Sequence, residues 1–560
     1  MPSTKTPTRF ALALLAATCL TPVGAAQAAP GDPIGPEFQV NTTTADSQVG
    51  PAVAMDADGD FVVAWRSCTV GDYDGCLDWD VFAQRYDAGG IPQGPEFPVN
   101  STATGNQMFP AVAMDPDGNF VVAWSGNGPG DGNGVFAQRY NAAGEAQGPE
   151  FLVNGYTTSS QYGPAVAMDA AGDFVVVWNG YGPGDDSEVM GSGVFAQRYD
   201  SGGEPQSGEF RVNTTTANSQ SEGTIAMDAD GDFAVAWASR YQDGDNAGVF
   251  AQRYTAAGTP QGGEFQVNTT SAGWQGSPSL AMDAAGGFVV VWRGTRDAYV
   301  QRYNAAGEPT GDQIAIAAGG GDMYPRTAVA MDADGDFVTA WTDRGSPYGY
   351  TIVSRRYNAA GDPQGVEFQT DPHTSAAAVA MDADGDTVVA WENWSKDGDG
   401  GGIFAQRFDG AERVAGDFDG DGKADLLWRN PATGQTIVWL MDGDTKLAEG
   451  SIGTVPTAWE IAGTGDFNGD GKSDILWRHS VTGNAIVWQM NGLDKAASAS
   501  IGAPPVSWSV EQLRDTDGDG LSDIVWRNTG TGSTIVWRMS GFTRVAADPI
   551  GSVDADWQLR

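Results

Sequence analysis

The stretch VAMDADGDFVVAW, residues 53–65, decides the fold because it returns with small edits until the chain has used up about two thirds of its length. Its closing tryptophans are Trp65, Trp124, Trp178, Trp237, Trp292, Trp341 and Trp391, spaced 59, 54, 59, 55, 49 and 50 residues apart. Ala52, Val53, Ala54 and Met55 make an apolar run suited to a buried strand, and Phe61, Val63 and Trp65 alternate with Val62 and Ala64 along a second. Between them, Asp56-Ala57-Asp58-Gly59 supplies turn chemistry. Asp side chains bond nearby backbone amides, and Gly59 tolerates the left-handed conformation that closes such loops. Each copy therefore reads as a β-hairpin, and a period of about fifty residues built from hairpins points to a propeller or array.

Two more strands accompany each hairpin. VFAQRY, residues 81–86, recurs with its last residue at Tyr140, Tyr199, Tyr254, Tyr303, Tyr357 and Phe408. EFQVN, residues 37–41, recurs from Glu96, Glu150, Glu209, Glu264, Gln313 and Glu367. The first EFxVN strand precedes the first hairpin, whereas the last unit ends at Phe408 without one. If the chain closes into a ring, the amino-terminal strand completes the seventh sheet and satisfies its edge. The expected class is all-β: a seven-bladed β-propeller of four-stranded blades over residues 29–410, then three shorter units over residues 411–560.

Lys5 and Arg9 precede an apolar run at residues 10–20 that ends near Ala26-Gln27-Ala28, the plan of a secretory signal peptide cleaved near Ala28. Cys19 offers a lipoprotein anchor as an alternative, but Thr18 before it is a poor fit. The run is too short to span a bilayer, and no later stretch reaches about 18 uninterrupted apolar residues, so no membrane insertion is expected. With 72 acidic and 30 basic residues the net charge is -42. Removing Lys5 and Arg9 takes the mature chain to -42 - 2 = -44. That field repels nucleic acid and anionic lipid and favours divalent cations; adaptation to saline surroundings accounts for it equally well.

Beyond the leader, Cys68 and Cys76 share one loop, SCTVGDYDGCLDWD at residues 67–80, and a local disulfide is expected in an exported protein. The two histidines, His373 and His479, are far apart, which leaves a His-rich zinc site and a Ser-His-Asp triad without support.

Residues repeated seven times read as scaffold. Arg85, Arg139, Arg198, Arg253, Arg302, Arg356 and Arg407 sit beside a strand that usually carries Glu, so a cross-strand ion pair or stacking on tryptophan is expected. The DADGD turns resemble calcium loops, but unit three reads Asp169-Ala170-Ala171-Gly172-Asp173, and Ala64 stands where a ninth-position carboxylate would be needed. They read as turns. The variable segments are the candidates for binding. Loops between the second and third strands carry Tyr73, Trp79, Tyr181, Asp185, Asp186, Tyr241, Asp243, Trp394 and Asp397. Blade connectors carry Gln48, Gln107, Gln161, Gln220 and Gln275 at matching places.

After Phe408 the unit changes. GDFDGDGKADLLWRN, residues 416–430, returns twice at a strict spacing of 49. Side-chain oxygens fall at positions one, three, five and nine: Asp417, Asp419, Asp421 and Asp425; Asp466, Asn468, Asp470 and Asp474; Asp515, Asp517, Asp519 and Asp523. Ca²⁺ takes six to eight oxygens at about 2.3–2.6 Å, and alternate residues of a tight loop converge on one point if glycine lets the backbone curl. Gly422, Gly471 and Gly520 sit at the bend, and the carbonyls of Lys423, Lys472 and Leu521 at position seven are candidate ligands. This pattern, followed by an apolar strand and a Trp-Arg pair, resembles the FG-GAP, or VCBS, repeat found in integrin α-subunit propellers and bacterial secreted proteins. The resemblance covers residues 412–560. It implies four-stranded blades with Ca²⁺ in the loop between the first two strands, and roles in adhesion or ligand binding. Integrin rings have seven blades and this tail three units, which leaves three arrangements: a partial array docked on the ring, one larger ring of ten, or pairing of the open end with another chain.

Two functions of different class follow. One is an exported, calcium-stabilised, non-catalytic binding protein that recognises a polysaccharide or a protein surface. The other is a glycan-active hydrolase or lyase, for which Asp185 with Asp186, or Asp243 with Asp245, would be the acid pair.

Overall fold

The computed structural model describes residues 33–553 apart from 73–74, 103–104, 183–190, 296, 318–326, 334, 347–348, 384, 399, 409, 411–415, 421–422, 443–444, 469–471, 515 and 517–520. Among the described residues the chain is all-β. Nine antiparallel sheets of four strands and one of three follow one another along the sequence.

The first complete unit has strands Gln48–Met55, Phe61–Asp72, Gly75–Tyr86 and Phe97–Pro98. Its hairpin pairs Val53 with Val63 and Met55 with Phe61. The turn between them is built as the sequence reads: Asp56 Oδ1 accepts the amides of Asp58 (3.0 Å) and Asp60 (2.9 Å). The same pair of bonds recurs at Asp115, Asp169, Asp228 and Asp283. The seventh unit supplies Thr374–Met381, Thr387–Asn393 and Gly402–Phe408, and its fourth strand is Pro33–Gln39 from the start of the chain, with Phe38 opposite Ala405.

Innermost strands touch in series from Gln48–Met55 to Thr374–Met381, and the last also touches the first. The Met-Asp-Ala or Met-Asp-Pro triplet of every unit, from 55–57 to 381–383, lines one shared cavity of about 260 Å³. Between neighbouring sheets lie the cores. Trp178 and Phe174 of the third unit pack with Val121, Ala123 and Val135 of the second, and Trp237 and Phe233 of the fourth with Val175 and Val177 of the third. Each unit thus buries the apolar face of its neighbour, the condition under which repeated hairpins hold together.

The repeated polar residues hold unit to unit, in a way the sequence reading did not anticipate. The arginines do not chiefly pair with Glu or stack on tryptophan; their guanidinium groups donate to main-chain carbonyls of the next unit. Arg85 reaches Ala143 O (2.6 Å), Arg198 reaches Ala257 O (3.0 Å) and Arg253 reaches Ala306 O (2.6 Å). Arg407 of the seventh unit reaches Gly89 O of the first (2.8 Å). Arg356 departs, lying buried against Asp332 (3.3 Å) and donating to Gly385 O. The Glu side chains of the EFxVN strands instead take connector amides of the preceding unit: Thr42 N donates to Glu96 (2.7 Å), Ser101 N to Glu150 (2.7 Å) and Thr214 N to Glu264 (2.7 Å).

The connector glutamines, expected on a binding face, are scaffold as well. Gln48, Gln107, Gln161, Gln220 and Gln275 are buried. Gln107, Gln161 and Gln275 accept the indole N–H of Trp124, Trp178 and Trp292 at 2.9–3.1 Å. A buried indole usually finds such a partner, although those of Trp237 and Trp391 do not.

The expected disulfide is present between Cys68 and Cys76. It ties the longest hairpin among the described residues, whose two strands each have twelve residues.

Candidate metal centre

The tail comprises a three-stranded sheet, Leu426–Arg429, Gln435–Asp442 and Thr445–Thr454, and two four-stranded sheets that open with Trp459–Gly465 and Trp508–Arg514. The second and third acidic loops fall where the sequence puts them, between first and second strands, whereas the first precedes Leu426–Arg429, the first described strand of its sheet. Asp466 follows Gly465, and Asp474 opens the strand Asp474–His479.

In the first loop Asp417, Asp419 and Asp425 each bring a carboxylate oxygen to within 4.8 Å of the others. Two oxygens on opposite sides of a Ca²⁺ lie about 5 Å apart, so the spacing fits that ion. Asp417 and Asp425 are buried. Asp419 Oδ1 is shut away from water and accepts no hydrogen bond. A buried carboxylate oxygen without a donor is costly unless a cation completes it. On both counts the residues present suit a hard divalent ion.

The position-nine aspartates carry a second duty that spacing did not reveal. Asp425 accepts Phe418 N through Oδ2 (2.8 Å) and Met441 N through Oδ1 (2.8 Å). Asp474 does the same with Phe467 N (3.0 Å) and Met490 N (2.9 Å), and Asp523 with Thr516 N (3.1 Å) and Met539 N (2.9 Å). Each pins the start of its loop to a later strand of its own sheet, Gln435–Asp442, Ala485–Asn491 and Ser533–Ser540 respectively. Asp417 Oδ1 accepts Gly420 N, and Asp466 Oδ1 accepts Asn468 N, which shapes the first turn of each loop.

The loops also join sheet to sheet. Ser473 N donates to Asp417 O and Ser522 N to Asp466 O, both at 2.5 Å. Phe418 and Phe467, fully buried, enter the core of the following sheet beside Trp477 and Trp526. Arg429 stacks over Trp477 at 4.9 Å and donates to Trp459 O (2.8 Å), and Arg478 stacks over Trp526 at 4.6 Å and donates to Trp508 O (2.8 Å). The Trp-Arg pair read from the sequence is therefore a clamp between successive units.

Of the remaining candidate ligands, Lys423 lies in the first loop, while the Lys472 side chain runs over Gly420 of the preceding loop. Asn468 and Leu521 line a cleft of about 340 Å³ whose other wall belongs to the first and seventh repeated units, including Asp58, Asp382 and Arg407. Asp421, Asp470, Asp515, Asp517 and Asp519 lie outside the described residues, as do Tyr73, Asp185 and Asp186.

Residues 417–477 match the FG-GAP-like repeat family. The matched repeat spans the first tail loop, the clamp at Arg429 and the second loop. No curated protein matches the chain. Among solved structures, an ulvan lyase of a polysaccharide lyase family aligns with TM-score 0.43 and 12% identity over 66% of this chain and 95% of its own. A protein of unknown function from Dyadobacter fermentans aligns with TM-score 0.40 and 12% identity over 67% and 98%. The NanB sialidase from Streptococcus pneumoniae aligns with TM-score 0.39 and 10% identity over 68% and 71%. Likenesses of this size bear on neither substrate nor reaction.

Proposed function

We propose that the chain is an exported, calcium-stabilised recognition protein. Residues 29–410 form a seven-bladed β-propeller whose loop face binds a polysaccharide or a protein surface without catalysis. Residues 411–560 form three FG-GAP-type units, docked on the ring as a partial array, and hold Ca²⁺ through the Asp417, Asp466 and Asp515 loops. The series contact of innermost strands and the Arg407 bond back to Gly89 support the ring. The cleft shared by ring and tail supports docking.

One observation carries the recognition reading: polar side chains present in nearly every unit are engaged in holding the scaffold, while exposed aromatics such as Trp394 and Tyr241 sit in the loops where the units differ. Variable loops on a repeated frame are where binding resides. A glycan array probed with the mature protein, with and without EDTA, tests it. Retention on defined glycans without release of reducing or unsaturated sugar ends is the expected result; release of such ends would replace this reading with the hydrolase or lyase.

A further inference from the structure

Seven copies of one unit act as an internal control on which side chains the scaffold needs. The innermost strand of six units slips register at one bulge, as between Val49 and Ala52 or between Met108 and Ala111. One residue of each bulge takes the left-handed conformation: Gly50 (φ 66°), Phe109 (φ 55°), Gly163 (φ 60°), Glu222 (φ 60°), Ser277 (φ 49°) and Ala376 (φ 54°). Glycine adopts it freely, whereas a bulky side chain costs about 1–3 kcal/mol there. Glu222 has a scaffold reason, since its Oε2 accepts Ser277 N of the next unit (2.6 Å). Phe109 shows no comparable bond. The residue is 38% exposed, and its ring lies 5.6 Å from the guanidinium of Arg66, which also stacks over Trp79 at 4.8 Å. Trp79 is carried there by the disulfide-tied hairpin.

The first unit borders the second on one side and the seventh on the other. Trp394, 50% exposed, donates its indole N–H to Ser375 Oγ (3.3 Å), and the Ser375 hydroxyl donates to Glu392 Oε1. Glu392 Oε2 accepts Gly50 N (3.0 Å). Val49, next to Gly50, pairs in register with Arg66. Gly50 is thus linked to Trp394 through Glu392 and Ser375, and its neighbour Val49 to Arg66 beneath Phe109, and a Cβ built on Gly50 would meet no heavy atom within 4 Å.

We propose that the open space over Gly50 is a subsite for one pyranose ring of a neutral polysaccharide, with Phe109 and Trp394 as its walls and Arg66 donating to hydroxyl groups. It rests on the recognition reading above and gives that reading a place and a ligand class. The C–H face of a sugar packs on an aromatic face, and a hydroxyl, which accepts as well as donates, suits a guanidinium donor. With a net charge of -42 the chain repels a polyanionic glycan.

Native gel electrophoresis of the full mature chain through neutral glucans, mannans and arabinoxylans, with alginate as the anionic comparison, tests the assignment. Retardation by at least one neutral polysaccharide is expected. Phe109→Gly and Trp394→Ala should each weaken it about tenfold, and Gly50→Asn, which keeps the left-handed backbone while filling the open space, should do likewise. Phe109→Gly also removes the backbone strain, so it should melt no lower than the wild type; weakened binding then does not come from misfolding. Val481→Ala, in an exposed turn of the tail, should bind as the wild type. If neutral polysaccharides retard the wild type and all three variants equally, the subsite is wrong while the recognition reading stands. Retardation by alginate alone refutes the ligand class. A wild type retarded by nothing on the gels or the array overturns both.

Discussion

Two aspartates of one tail loop allow metal binding and loop pinning to be separated. Asp425 gives both carboxylate oxygens to backbone amides, whereas Asp419 has a buried oxygen with no donor. Asp425→Asn keeps one acceptor but turns an NH₂ toward an amide it used to accept. A lost hydrogen bond to a charged group costs about 1.5–3 kcal/mol and a stranded buried N–H about 1–3 kcal/mol, so about 3–5 kcal/mol is expected whether or not metal is bound. Asp419→Asn removes no hydrogen bond accepted by Oδ1. It should leave the chelated protein unchanged and abolish only the gain from Ca²⁺, about 2.7 kcal/mol when the ion stands at a hundred times its dissociation constant. Calorimetry of the full chain in EDTA and in millimolar Ca²⁺ reads both. The expected pattern is that Asp425→Asn lowers the tail transition in both buffers and Asp419→Asn lowers it only with calcium. The reasoning fails if Asp425→Asn melts like the wild type in EDTA, or if Asp419→Asn already melts lower there.

Three further outcomes are expected. Burial, and then the charge of Asp60, push the Asp56 carboxyl up to about 6, and burial raises Asp169 and Asp228 as well. A raised folded-state value means that the folded chain binds more protons, so these groups lose stability as pH climbs from about 4 through 6; in EDTA, Asp56→Asn should raise the ring transition more at pH 7.5 than at pH 5, and an equal shift at both would refute this. Arg478→Ala removes the stack on Trp526 and four carbonyl contacts, to Gly483, Pro504, Pro505 and Trp508; the tail transition should fall by about 2–4 kcal/mol, and a shift below about 0.5 kcal/mol would show the clamp to be idle. Reducing Cys68–Cys76, a closed loop with a sequence separation of 8, releases about 2–3 kcal/mol of chain-entropy constraint; hydrogen exchange should quicken in that hairpin alone, and a global drop in protection would contradict a local role.

The hairpins, their turns, the local disulfide and the completion of the last ring sheet by the first strand were all legible, because each follows from short-range pattern or from counting repeats. Roles that depend on a neighbouring unit were not. Gln107 looks like connector composition until Trp124 is placed against it, and Arg85 looks like a cross-strand partner until Ala143 arrives from the next unit. The EFxVN pattern suggested full strands, yet Phe97–Pro98, Phe151–Leu152, Phe210–Arg211 and Phe265–Gln266 pair over only two residues; the residue after each continues through its amide alone, as Val99 N does to Val81 O. The bulge left no mark on the sequence, since Gly, Phe, Glu, Ser and Ala all occupy it. At the tail loops position and spacing were plain, but no spacing rule distinguishes a carboxylate that only ligates from one that also pins backbone.

Pairing Pro33–Gln39 with Gly402–Phe408 also sets an order of events. Gln406 donates to Ile34 O across 372 residues of sequence, so the first strand to be synthesised must wait, unpaired, for nearly all of the ring to follow it. Contacts of such long separation form slowly. Six sheets can assemble from local hairpins beforehand, and the seventh is the step that waits. Until it forms, a row of open backbone groups is available to another copy of the chain, so the conditions that speed closure are those that keep the newly delivered protein from aggregating.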